Sequence, residues 1–375
     1  MAKPTPAADW SSLPSDLVSR VAGIFLATSD IDYYISIRAA CRNWRAATDD
    51  PRGSDRRFRP RRWIFLGDNS SGSGHHLFLN VETGRFLWKD LPKLRYDYSY
   101  VTTTDGLLVL PQVASSRSGI CLFNPFTGHR VLYPLNLSLR GIRSLFRSVT
   151  VAGSSPAMLY LWRDESAASL DPSRGFEWVT LFSAEPALES LDFVVAYQGR
   201  PYAADRRGAV AVVVEDQSGE EPRLATVVAP HWGQRAPTFL VDCDGDLLLV
   251  RVPGIDGDGE VVEVCWINVE DEELWTRKCI GNYAIFLGDR CISVNADKFT
   301  GIQGNCIYYF GGGERPQLRG VCMHRLEDGR DEKLFDQEVD QLKVQACPLS
   351  LAQLLMSYAD PMHFGRWIVD RTSNI

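Results

Sequence analysis

The sequence predicts a mainly β protein, with a small helical module first, a closed β-propeller next and a short helix at the C-terminal end. Two observations carry this. Residues 10–50 place apolar side chains at helical spacing, whereas residues from about Trp63 to Arg330 form short strand-like runs punctuated by turn residues. In addition, the strand region echoes itself at a period of ~40–50 residues, as four-stranded propeller blades require.

The helical part comes first. Leu13, Leu17, Val21 and Ile24 recur at helical spacing, one face of about three turns. Pro14 suits a first helical turn, where its missing N–H costs nothing, and Asp16 complements the positive end of the helix dipole. Thr28, Ser29 and Asp30 offer capping side chains for a second helix, which carries Tyr34, Ile37, Cys41 and Trp44 and stops at Asp49-Asp50-Pro51. Some forty residues of short helix cannot bury all this apolar surface alone, so the module needs a partner.

An arginine-rich stretch follows at residues 51–62, with Arg52, Arg56, Arg57, Arg59, Arg61 and Arg62. It reads either as a nuclear-localisation signal or contact to an acidic partner, or as a linker whose arginines pair with the acidic domain that follows. Residues 1–62 hold 11 Lys and Arg against 7 Asp and Glu, a net of +4, and the rest holds 29 against 40, a net of −11. An acidic main domain argues against nucleic-acid binding, which needs clustered basic surface to displace phosphate counterions.

From Trp63 onwards, more than a dozen strand-like runs of about five to eight residues are flanked by Gly, Pro, Asp, Asn or Ser, with no long helix between them. The self-similarity is clearest between Leu77–Pro92 and Cys121–Pro134, each a strand, a Thr-Gly turn, a second strand and a proline. Their glycines, Gly84 and Gly128, lie 44 residues apart. Looser echoes surround Gln217-Ser-Gly219 and Glu270–Glu273. The period favours a propeller over a β-sandwich, with the number of blades left open. Pro348–Tyr358 reads as a short amphipathic helix that packs against the main domain.

Composition narrows the class. The chain has 375 residues, 45% of them hydrophobic, with no apolar run near the ~20 needed to span a bilayer. The N-terminal residues lack the apolar core of a secretory signal, so the expected location is cytoplasm or nucleus, without a membrane partner. Nine scattered cysteines, no two separated by only two residues, fit reduced thiols rather than a disulfide framework or a metal site.

Asp242–Asp246 and Asp256–Glu260 suggest calcium loops, but neither has the glycine and glutamate an EF-hand requires at its sixth and twelfth positions, so both read as hairpin turns. His75-His76 lacks companion ligands and reads as loop. No nucleophile elbow, phosphate loop or dinucleotide fingerprint occurs, so no catalytic residue and no cofactor is expected.

Trp10–Phe25 followed by Ile37–Arg45 resembles an F-box. That family's pattern is a Leu-Pro-x-x-Leu opening, an aliphatic helix and a Cys-x-x-Trp-Arg ending, which stand here as Leu13-Pro14, Leu17, Ile24, Cys41 and Trp44-Arg45. The segment Asp32–Ile35 between them is less typical. The rest is similar to plant F-box proteins, familiar from grasses, whose C-terminal propeller was long catalogued as a domain of unknown function. Asn282–Asp297 and Gly301–Tyr309 carry that likeness.

The resemblance implies a division into an F-box motif at 10–50, a linker at 51–62 and a propeller with its C-terminal helix at 63–375. It implies a Skp-type adaptor bound through Leu13, Pro14, Leu17, Val21, Ile24, Ile37, Cys41 and Trp44, with Trp44 as hot spot, and through that adaptor a cullin. The function implied is that of the substrate-recognition subunit of an SCF-type ubiquitin ligase, its propeller holding a target protein and its chemistry done by other subunits. An F-box protein acting outside a ligase, as a competitor for the adaptor, and a propeller enzyme are the alternatives.

Overall fold

In the computed structural model of the chain, the described residues are 9–53, 55–68, 75–91, 102–113, 118–135, 148–152, 158–163, 166–171, 175–177, 193–214, 223–253, 261–311, 320–336 and 350–359. Three helices open them: α1 (Ser15–Ala27), α2 (Ile31–Ala40) and α3 (Arg42–Ala46). The single second helix expected from spacing is in fact two. Cys41 adopts an extended backbone (φ −155°) and its Sγ accepts from the Trp44 amide, so it caps α3 instead of continuing α2.

Among the described residues six sheets follow in chain order. The first has three strands: β1 (Trp63–Asp68), β2 (His75–Asn80) and β3 (Phe86–Asp90). The second contains β4 (Thr102–Thr104), β5 (Leu107–Val113), β6 (Ser118–Phe123) and β7 (Arg130–Leu135); the third β8 (Ser148–Ala152), β9 (Met158–Arg163), β10 (Ser166–Asp171) and β11 (Gly175–Glu177). The fourth contains β12 (Phe193–Tyr197), β13 (Arg200–Ala204), β14 (Val210–Val214) and β15 (Arg223–Val228); the fifth β16 (Thr238–Cys243), β17 (Asp246–Arg251), β18 (Glu263–Asn268) and β19 (Glu273–Thr276). The sixth has five strands: β20 (Tyr283–Phe286), β21 (Ile292–Asn295), β22 (Cys306–Gly311), β23 (Gly320–Arg325) and β24 (Arg330–Asp336).

Sheets two to five are antiparallel meanders whose first strands β4, β8, β12 and β16, with β21 of the sixth sheet, neighbour one another in turn. This is the propeller that the sequence period predicts. The sixth sheet departs from the meander. Its order is β21-β20-β22-β23-β24, with β20 running parallel to β22, so β20 is wedged between the inner strand and the rest.

The echo between Gly84 and Gly128 is one turn built twice. Asn80 Oδ1 accepts from the amides of Glu82 and Thr83, and the Gly84 amide returns to the Asn80 carbonyl. Asn124 does the same with Phe126, Thr127 and Gly128. The asparagine side chain mimics a backbone turn, and the glycine closes it in the left-handed region at φ +72° and +75°. The echo near Glu270 is the same device on Asn268, with Glu272 at φ +58° in the glycine's place. The Asp242–Asp246 motif is a hairpin turn, with Asp244 (φ +56°) and Gly245 (φ +84°) joining β16 to β17. Gln217–Gly219 and Asp256–Glu260 lie outside the described residues.

The ring closes between its first and last sheets. There the C-terminal helix α4 (Leu351–Ala359) rests on β1 and β20. Leu355, Met356 and Ala359 are fully buried in one core with Leu79 of the first sheet and Phe286, Val294 and Tyr308 of the sixth. A reciprocal cap starts it: the Ser350 hydroxyl accepts from the Gln353 amide (3.2 Å), and Gln353 Oε1 accepts from the Ser350 amide (2.8 Å). The packing role read from its amphipathic pattern is the one observed.

Candidate functional site

The helical module presents two faces of different fate. On α1, Val18 and Ala22 are buried, and Ala22 clusters with Tyr34 and Phe58. Ile31, at the start of α2, is completely buried among Trp63, Phe78, Leu108 and Phe123 of the first two sheets. On the other face of α1, Leu17, Val21 and Ile24 are 40%, 47% and 62% exposed. They follow one another at i, i+4 and i+7, a contiguous apolar stripe on one side of a helix.

The remaining residues expected at this site are held more deeply. Pro14 is exposed at the N-cap of α1, while Leu13, Ile37, Cys41 and Trp44 are half-buried within the module. The Trp44 indole donates to the Trp10 carbonyl (3.0 Å), the Asn43 amide of α3 donates to the Ser11 carbonyl, and the Ser19 hydroxyl of α1 donates to the carbonyl of Ala47 at the end of α3. The structure therefore gathers Leu17, Val21 and Ile24 as the presented surface, and uses Trp44 to brace it. Trp10, 69% exposed, adds a large apolar side chain that spacing did not single out.

The seat of the module on the propeller is the part that sequence reading missed. Asp30 occupies the N-cap position of α2 but makes no cap bond to that helix. Its carboxylate instead accepts from Arg85 (2.8 Å), Asn80 (3.2 Å) and the Thr28 hydroxyl (3.0 Å). Arg85 also makes two bonds to Asp32, at 2.6 and 2.7 Å. Hydrogen bonds to Asp32 push the Arg85 pKa upward, against the opposing effect of burial. The Trp63 indole donates to the Ser29 carbonyl at 2.7 Å.

The second turn of the echo is a seat as well. Asn124 Nδ2 donates to the Phe58 carbonyl (2.8 Å), so equivalent asparagines in consecutive sheets hold the module and its linker. Of the six linker arginines, three face carboxylates of the propeller. Arg59 and Arg61 pair with Asp105 at 2.8 and 3.3 Å, and Arg62 lies 3.8 Å from Glu82. Arg57 pairs with Asp49 and Asp55, and Arg52 with Asp50. The pairing expected for a linker on an acidic domain is thus present at Arg59, Arg61 and Arg62. Arg56 crosses to the β12–β13 turn, where its guanidinium lies against Gly199.

Across the propeller, the titratable groups follow burial. The Cys243 thiol is pushed up to about 12 and that of Cys306 to about 11, both chiefly by desolvation, so neither is a ready nucleophile. Among the described residues no cluster of three or more His, Cys, Asp or Glu could hold a metal ion, and no helix is long and apolar enough to cross a membrane. The described site is an apolar protein surface on a fixed base.

Comparison with known proteins adds a family. The model of the family described as KIB1-4 beta-propeller matches residues 78–336, more than half of the chain. No curated protein matches. Among solved structures, a putative 6-phosphogluconolactonase from Bacteroides uniformis is similar at 16% identity and a TM-score of 0.35, over 73% of this chain and 82% of that one. A likeness that distant carries no argument about function.

Proposed function

Because this chain belongs to the KIB1-4 β-propeller family, we propose that its propeller is a protein-binding platform and its helical module an F-box that docks the platform on a Skp-type adaptor. Through that adaptor the chain joins a cullin, as the substrate-recognition subunit of an SCF-type ubiquitin ligase in the cytoplasm or nucleus. It does no chemistry of its own. Raising the local concentration of a target lysine near the ubiquitin-loaded enzyme is its contribution.

One observation carries this reading. The same short helix buries Val18 and Ala22 while leaving Leu17, Val21 and Ile24 in solvent. An apolar stripe costs free energy when exposed, at ~25 cal/mol per Å², and a helix already seated on the propeller has no need of a second apolar face unless another chain covers it. Leu17 and Ile24 are two of the positions that the F-box pattern names, and Val21 lies between them on the same face.

The test is co-recovery from cells. Tagged full-length chain should bring down a Skp-type adaptor and a cullin together, and Leu17→Asp with Ile24→Asp should lose both. Adaptor without cullin would replace the ligase reading with that of an adaptor competitor. Recovery of neither by the wild-type chain would remove the F-box assignment.

A further inference from the structure

A helical module joined to a domain by about a dozen residues would ordinarily sample many directions. Here the start of α2 is bonded directly to the first sheet, and the linker is bonded at two further residues. Ser29, Asp30 and Asp32 are bonded to Trp63, Asn80 and Arg85 of the first sheet. The Phe58 carbonyl is bonded to Asn124 of the second. Arg59, whose side chain is 4% exposed, is paired with Asp105 in the β4–β5 turn. One anchor on the start of α2 and two on the linker leave the module little freedom of direction on the propeller.

Arg85 is the centre of the first anchor. Its guanidinium bridges two carboxylates, and its carbon lies 4.1 Å from the Tyr33 ring centroid and 4.9 Å from that of Trp63. A planar fork whose two terminal nitrogens are shared between two carboxylates, with two aromatic rings beside it, is held in an orientation that an ammonium cannot reproduce. The backbone beneath it is equally constrained. The Asn80 amide donates to the Arg85 carbonyl, and at Gly84 a β-carbon would come within 2.7 Å of the carbonyl of Lys298, in the connection from β21 to β22.

We infer that Arg85 is a positioning residue, locking the start of α2 to the first sheet so that the exposed α1 stripe points in a fixed direction from the propeller. Anything bound on the stripe and anything bound on the propeller are then held at a set separation, in place of one averaged over a flexible tether. The lock itself does not depend on what the stripe binds; its value for target delivery rests on the function proposed above.

The experiment uses the full chain with nitroxide labels on Ser36→Cys, an exposed α2 position, and on the exposed Cys279, with Cys41, Cys291 and Cys347 replaced by Ser. The distance distribution should be narrow with Arg85 present. In Arg85→Met and Arg85→Lys it should broaden at least twofold, and amide exchange across Ile31–Ile37 should speed up at least tenfold while β16–β18 stay unchanged. Should Arg85→Met fail to fold, Asp32→Asn removes one arm of the fork and should give the same broadening. Equal widths in all variants would overturn the inference. Adaptor affinity is a separate readout: Arg85→Met should keep it, and failure of the wild-type chain to bind adaptor would overturn the proposed function while leaving the lock to be decided by the label distances.

Discussion

Gly106 faces the carbonyl oxygen of Pro60 so closely that a β-carbon on it would lie 2.0 Å from that oxygen. The glycine also sits at φ +73° in the β4–β5 turn, beside Asp105, which holds Arg59 and Arg61. The linker can lie flat on the second sheet only because no side chain grows there. Gly106→Ala should therefore cost more than about 2 kcal/mol, combining left-handed backbone strain with displacement of the linker. Gly128→Ala, at φ +75° with nothing within 4 Å, should cost only about 1 kcal/mol. Urea denaturation of the two variants checks the difference, and equal costs would contradict the close approach.

Ile31 reports whether the helices and the propeller share a core. It is fully buried against Trp63, Phe78 and Leu108. Ile31→Ala should destabilise by about 2–5 kcal/mol. Tryptophan fluorescence and far-ultraviolet dichroism should still follow one coincident transition. A variant whose helices melt first, leaving the propeller intact, would show that the two are separate units.

The C-terminal helix should act as a latch on the ring. Leu355→Ala removes a fully buried side chain from the seam of the first and sixth sheets, and should cost about 2–5 kcal/mol. Gln353→Ala loses one arm of the reciprocal cap and should cost about 1 kcal/mol. Thermal melts of both variants order the two effects.

Asp242 supplies a pH dependence. Burial raises its pKa, and the Arg62 and Arg61 charges only partly oppose that. A carboxyl whose folded pKa lies above its unfolded one favours the folded state below the unfolded value and loses that contribution as pH rises through the folded value. Asp242→Asn keeps the acceptor for the Gly245 amide and cannot ionise. Relative to wild type, the variant should therefore gain stability as pH is raised from about 4 to 7, measured by denaturant midpoints across that range. A wild type that gains on the variant with rising pH would reverse the sign.

The division into helices and propeller was readable from two periodicities, and the Gly84–Gly128 echo corresponds to a physical object, the Asn-based turn. The break at Cys41 was not readable, because its apolar neighbours keep helical spacing across it. Nor was the orientation of α1. Leu17, Val18, Val21, Ala22 and Ile24 make the helix apolar on more than one side, and spacing alone does not say which side the propeller takes. The Arg85–Asp30–Asp32 anchor joins residues more than fifty apart in the chain, and no local pattern marks such a pairing. Asp30 shows the cost of purely local reasoning: it sits at an N-cap, and its carboxylate serves the neighbouring sheet.

Leu17, Val21 and Ile24 form the stripe that we propose docks on a Skp-type adaptor, and calorimetric titration of the purified full-length chain with purified adaptor decides whether it does. Leu17→Asp with Ile24→Asp should weaken binding at least about thirtyfold, ~2 kcal/mol, with the fold retained because both side chains are partly exposed. Undiminished affinity in that variant, or no affinity in the wild-type chain, would contradict the claim.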